Sequence, residues 1–180
     1  MVATIHVVAR CAGDGSQRCV RQPVFNEYLD SIHLIERLHR QFLEVVKGEL
    51  DRLGVQDINN IQALILYNIG KDDLTVGELT NRGYYLGSNV SYNVRKMVEN
   101  DYLVQERSTH DKRSVRVRAS DKGLQLWTRL DDMFKRHAER MGTDSVSGHE
   151  LAQANAVLQR LERFWNSPGA YNAPVAGTAA

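Results

Sequence analysis

Thr75 and Glu78 stand three residues apart at the head of a short amphipathic run, and this pair limits the folds open to the chain more than any other feature. A threonine hydroxyl at a helix start accepts from the backbone N–H three residues on, and a glutamate there reaches back to the threonine N–H. The helix so begun runs only to about Arg82, and a turn around Gly83, Tyr84 and Tyr85 follows. Ser88 can then cap a second helix whose inward side is Val90, Val94 and Met97 and which ends near Asp101. Tyr102 to Arg107 reads as a strand, and so does Ser114 to Arg118, with Val115 and Val117 on one side and Arg116 and Arg118 on the other.

Capped helix, tight turn, capped helix and hairpin, in that order, describe a winged helix-turn-helix, a fold whose second helix enters the major groove of DNA. The outward side of that helix carries Ser88, Asn89, Tyr92, Arg95 and Lys96, with Ser91 beside them. Arg95 and Lys96 can neutralise phosphates or donate to guanine, while Ser88 and Asn89 are short enough to approach base edges. Glu99 lies at the helix end, where it is expected to stand clear of the groove. A mixed polar face alone also fits an ordinary surface helix. The hairpin tip shifts the balance, because it gathers His110, Lys112 and Arg113 where a plain turn needs only Gly, Asn or Pro. Arg113 is the residue expected to enter a narrow minor groove. Asp111 either aims Arg113 through a bidentate pair or simply forms the turn.

Net charge is only +1, so the distribution matters more than the total. Arg107, Lys112, Arg113, Arg116 and Arg118 face the single acid Asp111 between residues 107 and 118, a cationic strip in a nearly neutral protein.

Long helices flank this centre. Tyr28, Ile32, Ile35, His39, Phe42, Val46 and Leu53 follow a three-and-four spacing that stops at Gly54. Asp57 is expected to cap a helix with Ile58, Ile61, Ile65 and Ile69 on one face and Gly70 as its stop. Toward the end, Leu126, Leu130, Met133, His137 and Met141 mark one helix, and Leu151, Ala154, Leu158, Leu161 and Trp165 mark another. Three such helices expose more apolar surface than a closed intramolecular bundle easily covers, so Leu151, Leu158, Leu161, Phe164 and Trp165 are expected to meet a second copy. The expected division is a loose extension over 1–23, a dimerisation region over 24–54 and 120–166, a DNA-binding region over 55–119, and a disordered tail over 167–180.

With 42% hydrophobic residues the chain can build a core, and no run approaches the roughly 18 apolar residues of a membrane span. The start lacks a secretory leader's basic and apolar regions, so the protein is read as cytoplasmic. Cys11 and Cys19 then read as reduced thiols, with a redox switch as the alternative. Six scattered histidines (His6, His33, His39, His110, His137, His149) form no HExxH motif, and neither a nucleophile elbow nor a phosphate loop is present. Catalysis, a cofactor and a metal centre are therefore not expected, and the remaining rival is a helical interaction module that never meets DNA.

At these residues the chain resembles the MarR family of bacterial regulators. Leu74-Thr75-Val76-Gly77-Glu78-Leu79 is similar to the family's third-helix opening, Asn89-Val90-Ser91 to its recognition-helix start, and Asp111-Lys112-Arg113 through Asp121-Lys122-Gly123 to its wing signature. The likeness covers roughly Phe25 to Trp165, with departures at Ala119-Ser120, Asp101 and Gly83; Ser120 can still cap the next helix. The resemblance implies a homodimer on a near-palindromic duplex, repression more often than activation, and a small aromatic ligand in a cleft near His39, Phe42 and Leu64. A redox- or metal-responsive regulator of the same fold is the alternative.

Overall fold

The computed structural model describes residues 22–83, 87–107, 115–144 and 146–167. Within them six helices and three strands follow in the order α1 (Gln22–Arg52), α2 (Asn60–Ile69), β1 (Asp73–Thr75), α3 (Val76–Gly83), α4 (Gly87–Glu99), β2 (Leu103–Arg107), β3 (Val115–Ala119), α5 (Asp121–Asp144) and α6 (Gly148–Asn166). This is a mainly helical winged helix-turn-helix, as the order of motifs implies.

Local chemistry sets most boundaries. Thr75 Oγ1 accepts from Glu78 N at 3.1 Å and Glu78 returns a carboxylate oxygen to Thr75 N at 2.7 Å, which starts α3 as expected. The expected cap of α2 is corrected. Asn59 holds that position, accepting from Gln62 N at 2.9 Å while Gln62 accepts from Asn59 N at 3.0 Å, and Asp57 is left for another duty. Helix α4 starts at Gly87, one residue before the Ser88 expected to cap it. Ser120 does cap α5, its hydroxyl accepting from Gly123 N at 3.0 Å.

The sheet also exceeds the expected hairpin. β1 joins β3 antiparallel, pairing Asp73 with Arg118, Leu74 with Val117 and Thr75 with Arg116, so the strand order is β1-β3-β2. Three residues are too few to display an alternation, and β1 exists because β3 offers it a free edge.

One core lies between α2, α3, α4, the sheet and the first half of α5, centred on Ile65, Leu66, Leu79, Val90, Met97 and Val117. Ile61, expected on the buried face of α2, is exposed, since α2 packs through Ala63 and Leu66 instead. The last third of α1 reaches this core through Val46 and Leu50. There Glu49, only 8% exposed, accepts two bonds of 2.7 Å from Arg52 and one of 2.9 Å from Arg136 of α5. Arg52 first, and Arg136 after it, hold its carboxyl below the usual glutamate range, against the opposing effect of burial. By contrast α6 buries no residue. It is tied to the start of α1 by Trp165 Nε1 donating to Tyr28 Oη at 3.0 Å.

Candidate nucleic-acid interface

Helix α4 is sorted into two faces by its packing. Val90, Val94 and Met97 are buried, which turns Asn89, Ser91, Tyr92 and Arg95 outward. Tyr92 is 60% exposed, a large ring left mostly on the surface. Asn93 Nδ2 donates to Asn89 O at 2.8 Å, leaving the Asn89 side chain on the surface. Arg95 is exposed and has no ion-pair partner among the described residues. Lys96 differs. Its Nζ lies 2.6 Å from Glu99, and that bond raises its pKa, so Lys96 and Glu99 act as a pair where sequence treated them separately. The Ser88 side chain falls outside the described residues.

The hairpin tip, residues 108–114, also lies outside them, and with it His110, Asp111, Lys112 and Arg113. At its base the cationic strip proves partly neutralised. Arg116 Nε lies 3.0 Å from Asp73 and Arg118 Nη2 3.1 Å from Glu106, each reaching diagonally to a neighbouring strand. Arg82 is paired with Asp72 at 2.6 Å in the same lobe. Sequence counting missed these acids because Glu106 sits one residue before the basic run and Asp73 is brought in by β1.

Among the residues expected to line a ligand cleft, His39 is exposed, Phe42 is 38% exposed and Leu64 packs against the core. Phe42 belongs to an aromatic row that sequence did not single out. Its ring stacks on Phe134 at 5.8 Å, Phe134 meets Tyr67 edge-on at 4.6 Å, and Tyr67 stacks on Trp127 at 6.0 Å. Tyr67 donates to Asp131 at 3.1 Å and accepts from Trp127 Nε1 at 3.2 Å through its carbonyl. Burial and then Asp131 push the Tyr67 phenol up. The spacing of Trp127 and Phe134, two turns apart on α5, was the available signal. A separate open groove of about 710 Å³ lies between the end of α1 and the start of α5, lined by Leu53, Val55, Tyr102, Lys122, Gln125, Leu126, Thr128 and Arg129.

Of the residues assigned to pairing, Leu151, Leu158 and Phe164 are exposed and Leu161 and Trp165 half-buried. Val24, Phe25, Leu34 and Leu38 of α1 are exposed as well. Among the described residues no three metal-ligating side chains cluster, and no helix is long and apolar enough to cross a membrane.

Comparison with known proteins agrees with this geometry. Residues 56–114 match the family model described as MarR family. The exopolysaccharide II synthesis transcriptional activator ExpG of Rhizobium meliloti is 38% identical over 144 residues, covering 80% of this chain and 74% of that one. Among solved structures, a mutant of MarR from E. coli complexed with operator DNA superposes with a TM-score of 0.63 at 18% identity, over 76% of this chain and 96% of that one. The transcriptional regulator BldR from Sulfolobus solfataricus gives 0.62 at 21% identity, over 76% and 97%.

Proposed function

The chain belongs to the MarR family of transcriptional regulators, a non-enzyme family, and on that premise we propose that it is a cytoplasmic, homodimeric regulator reading a near-palindromic duplex. The observation that carries this reading is the two-faced α4, its apolar row sunk in the core and Asn89, Ser91, Tyr92 and Arg95 presented together. In a major groove Arg95 would reach phosphate or guanine, Asn89 an adenine edge and Tyr92 a thymine methyl. Ser88, Lys96, His110, Lys112 and Arg113 complete the contact set, with Asp111 supporting the tip. MarR from E. coli, solved with operator DNA on a similar fold, supports the docking mode.

Residues 24–54 and 120–166 form the pairing region in this reading, and 55–119 the DNA-binding region. Support comes from α6, none of whose residues is fully buried within its own chain although it carries Leu151, Leu158, Leu161, Phe164 and Trp165. A small aromatic ligand near His39, Phe42 and Leu64 is supported by the aromatic row that Phe42 joins. Repression is the family's commoner mode, but a specific observation favours a second reading: the 38% identical relative is named an activator.

Fluorescence anisotropy with a duplex selected from a random-sequence library tests the first claim, and light scattering tests the dimer. Arg95→Ala is expected to weaken binding and to lower the slope of log affinity against log salt by about 1, with dimer mass unchanged. Unaltered affinity and slope would remove α4 from the contact surface. A reporter fused to the selected site, with and without the protein, gives the sign of regulation.

A further inference from the structure

Asp57 is released from helix capping by Asn59, and both of its carboxylate oxygens accept from side chains of distant segments. Tyr102 Oη donates to Oδ1 at 2.7 Å and Lys122 Nζ to Oδ2 at 2.7 Å. The Asp57 carbonyl accepts from Asn100 Nδ2, and Lys122 Nζ also donates to the Asn100 carbonyl at 3.0 Å. The same ammonium sits 4.2 Å from the centre of the Tyr102 ring. Asn100 and Tyr102 are the exit of α4, where Tyr102 N donates to Met97 O at 2.8 Å, and Lys122 is the second residue of α5.

On its other side Asp57 follows α1 by a short covalent connector, Leu53 to Gln56. The end of α1 is closed by Leu53 N donating to Glu49 O at 3.0 Å and Val55 N to Leu50 O at 2.9 Å, and Glu49 is itself clamped by Arg52 and Arg136. Tyr102 is only 3% exposed, so its hydroxyl has little recourse to water if Asp57 is lost. The closed end of α1, the two-residue step from Val55 to Asp57 and the bonds of Asp57 thus link α1 to the C-terminal end of the reading helix.

We propose that Asp57 is a positioning residue for duplex recognition, latching the exit of α4 to the α1–α2 connector so that the placement set by the helical frame is delivered to the face that meets DNA. The inference rests on the DNA-binding reading above. A reading helix must be held to a fraction of an ångström and a few degrees to satisfy base edges, whereas phosphate attraction tolerates slack. Loosening the latch therefore lowers specific affinity and leaves non-specific affinity in place.

The test uses the full chain in three forms, unsubstituted, Asp57→Asn and Tyr102→Phe. Asp57→Asn keeps an oxygen for Tyr102 but turns an amide NH2 toward the Lys122 ammonium; Tyr102→Phe keeps the ring and removes the hydroxyl. Each is expected to bind the selected duplex roughly tenfold more weakly. Affinity for a scrambled duplex, the salt slope and the dimer mass are expected to stay unchanged. A purely structural role would lower the thermal midpoint yet leave both affinities intact well below it, and that result overturns the proposal. If Asp57→Asn fails to fold, Lys122→Met cuts the same bond from an exposed position and is held to the same criteria. An unsubstituted protein with no preference between the duplexes refutes the DNA-reading function and this inference with it; a preference that survives in the variants refutes this inference alone.

Discussion

Gly123→Ala turns one methyl group into a probe of how tightly α5 is set against the exit of α4. A Cβ added at Gly123 would lie 2.2 Å from the Tyr102 carbonyl oxygen, 3.2 Å from its carbonyl carbon and 3.3 Å from Leu66 Cδ1. An ordinary carbon–oxygen contact is roughly 3.3 Å, so the overlap is about 1 Å, and the obstructing atoms are backbone. That backbone has little freedom to yield. The Tyr102 carbonyl accepts from Ser120 N at 3.1 Å, the Ser120 hydroxyl caps α5 and donates to the Asp101 carbonyl, and Tyr102 is buried. Overpacking costs about 1–3 kcal/mol, a backbone overlap of this size falls at the upper end, and the better helix propensity of alanine returns at most about 1 kcal/mol. The net expectation is a loss of about 2–3 kcal/mol, or a fall in thermal midpoint of roughly 4–12 °C. Gly48→Ala is the control, since a Cβ there meets nothing within 4 Å on an exposed helical turn, and it should stabilise by about 0.5–1 kcal/mol. Circular dichroism melts and urea titrations at matched protein concentration measure both. If Gly123→Ala melts within about 2 °C of the unsubstituted protein, the close packing described here is wrong.

Asn59→Ala should cost about 1 kcal/mol in urea titration by removing the cap of α2, and a negligible change would return that role to Asp57. Asp101, at φ 62°, occupies a backbone region that glycine enters more readily, so Asp101→Gly is expected to raise the unfolding free energy from urea titration slightly, by about 0.5 kcal/mol. The Glu49 carboxyl is held below the range it has in the unfolded chain, so its contribution is complete above about pH 5 and is lost as pH falls through its folded value. Glu49→Gln should therefore flatten the fall of the urea midpoint between pH 5 and pH 3, and an identical slope in both proteins would contradict the clamp.

The sequence by itself determined whatever depends on neighbours along the chain. Thr75 and Glu78 start α3, Ser120 starts α5, and the spacing of Val90, Val94 and Met97 separates the buried side of α4 from its exposed side. These are contacts between residues a few positions apart, and their physics is local. Tertiary structure decided the rest. Which of Asp57 and Asn59 caps α2 turned on Tyr102 and Lys122, 45 and 65 residues downstream, claiming the Asp57 carboxylate. Three residues became strand β1 only because β3 presented an unpaired edge, and in doing so they brought Asp73 to Arg116 and drew charge out of a strip that looked cationic in one dimension. The aromatic row from Phe42 to Trp127 draws on α1, α2 and α5, and only packing could assemble it. A charge or a ring is legible as a residue type in sequence, but its partner is chosen in space, where a carboxylate from a distant segment can outcompete the one next door.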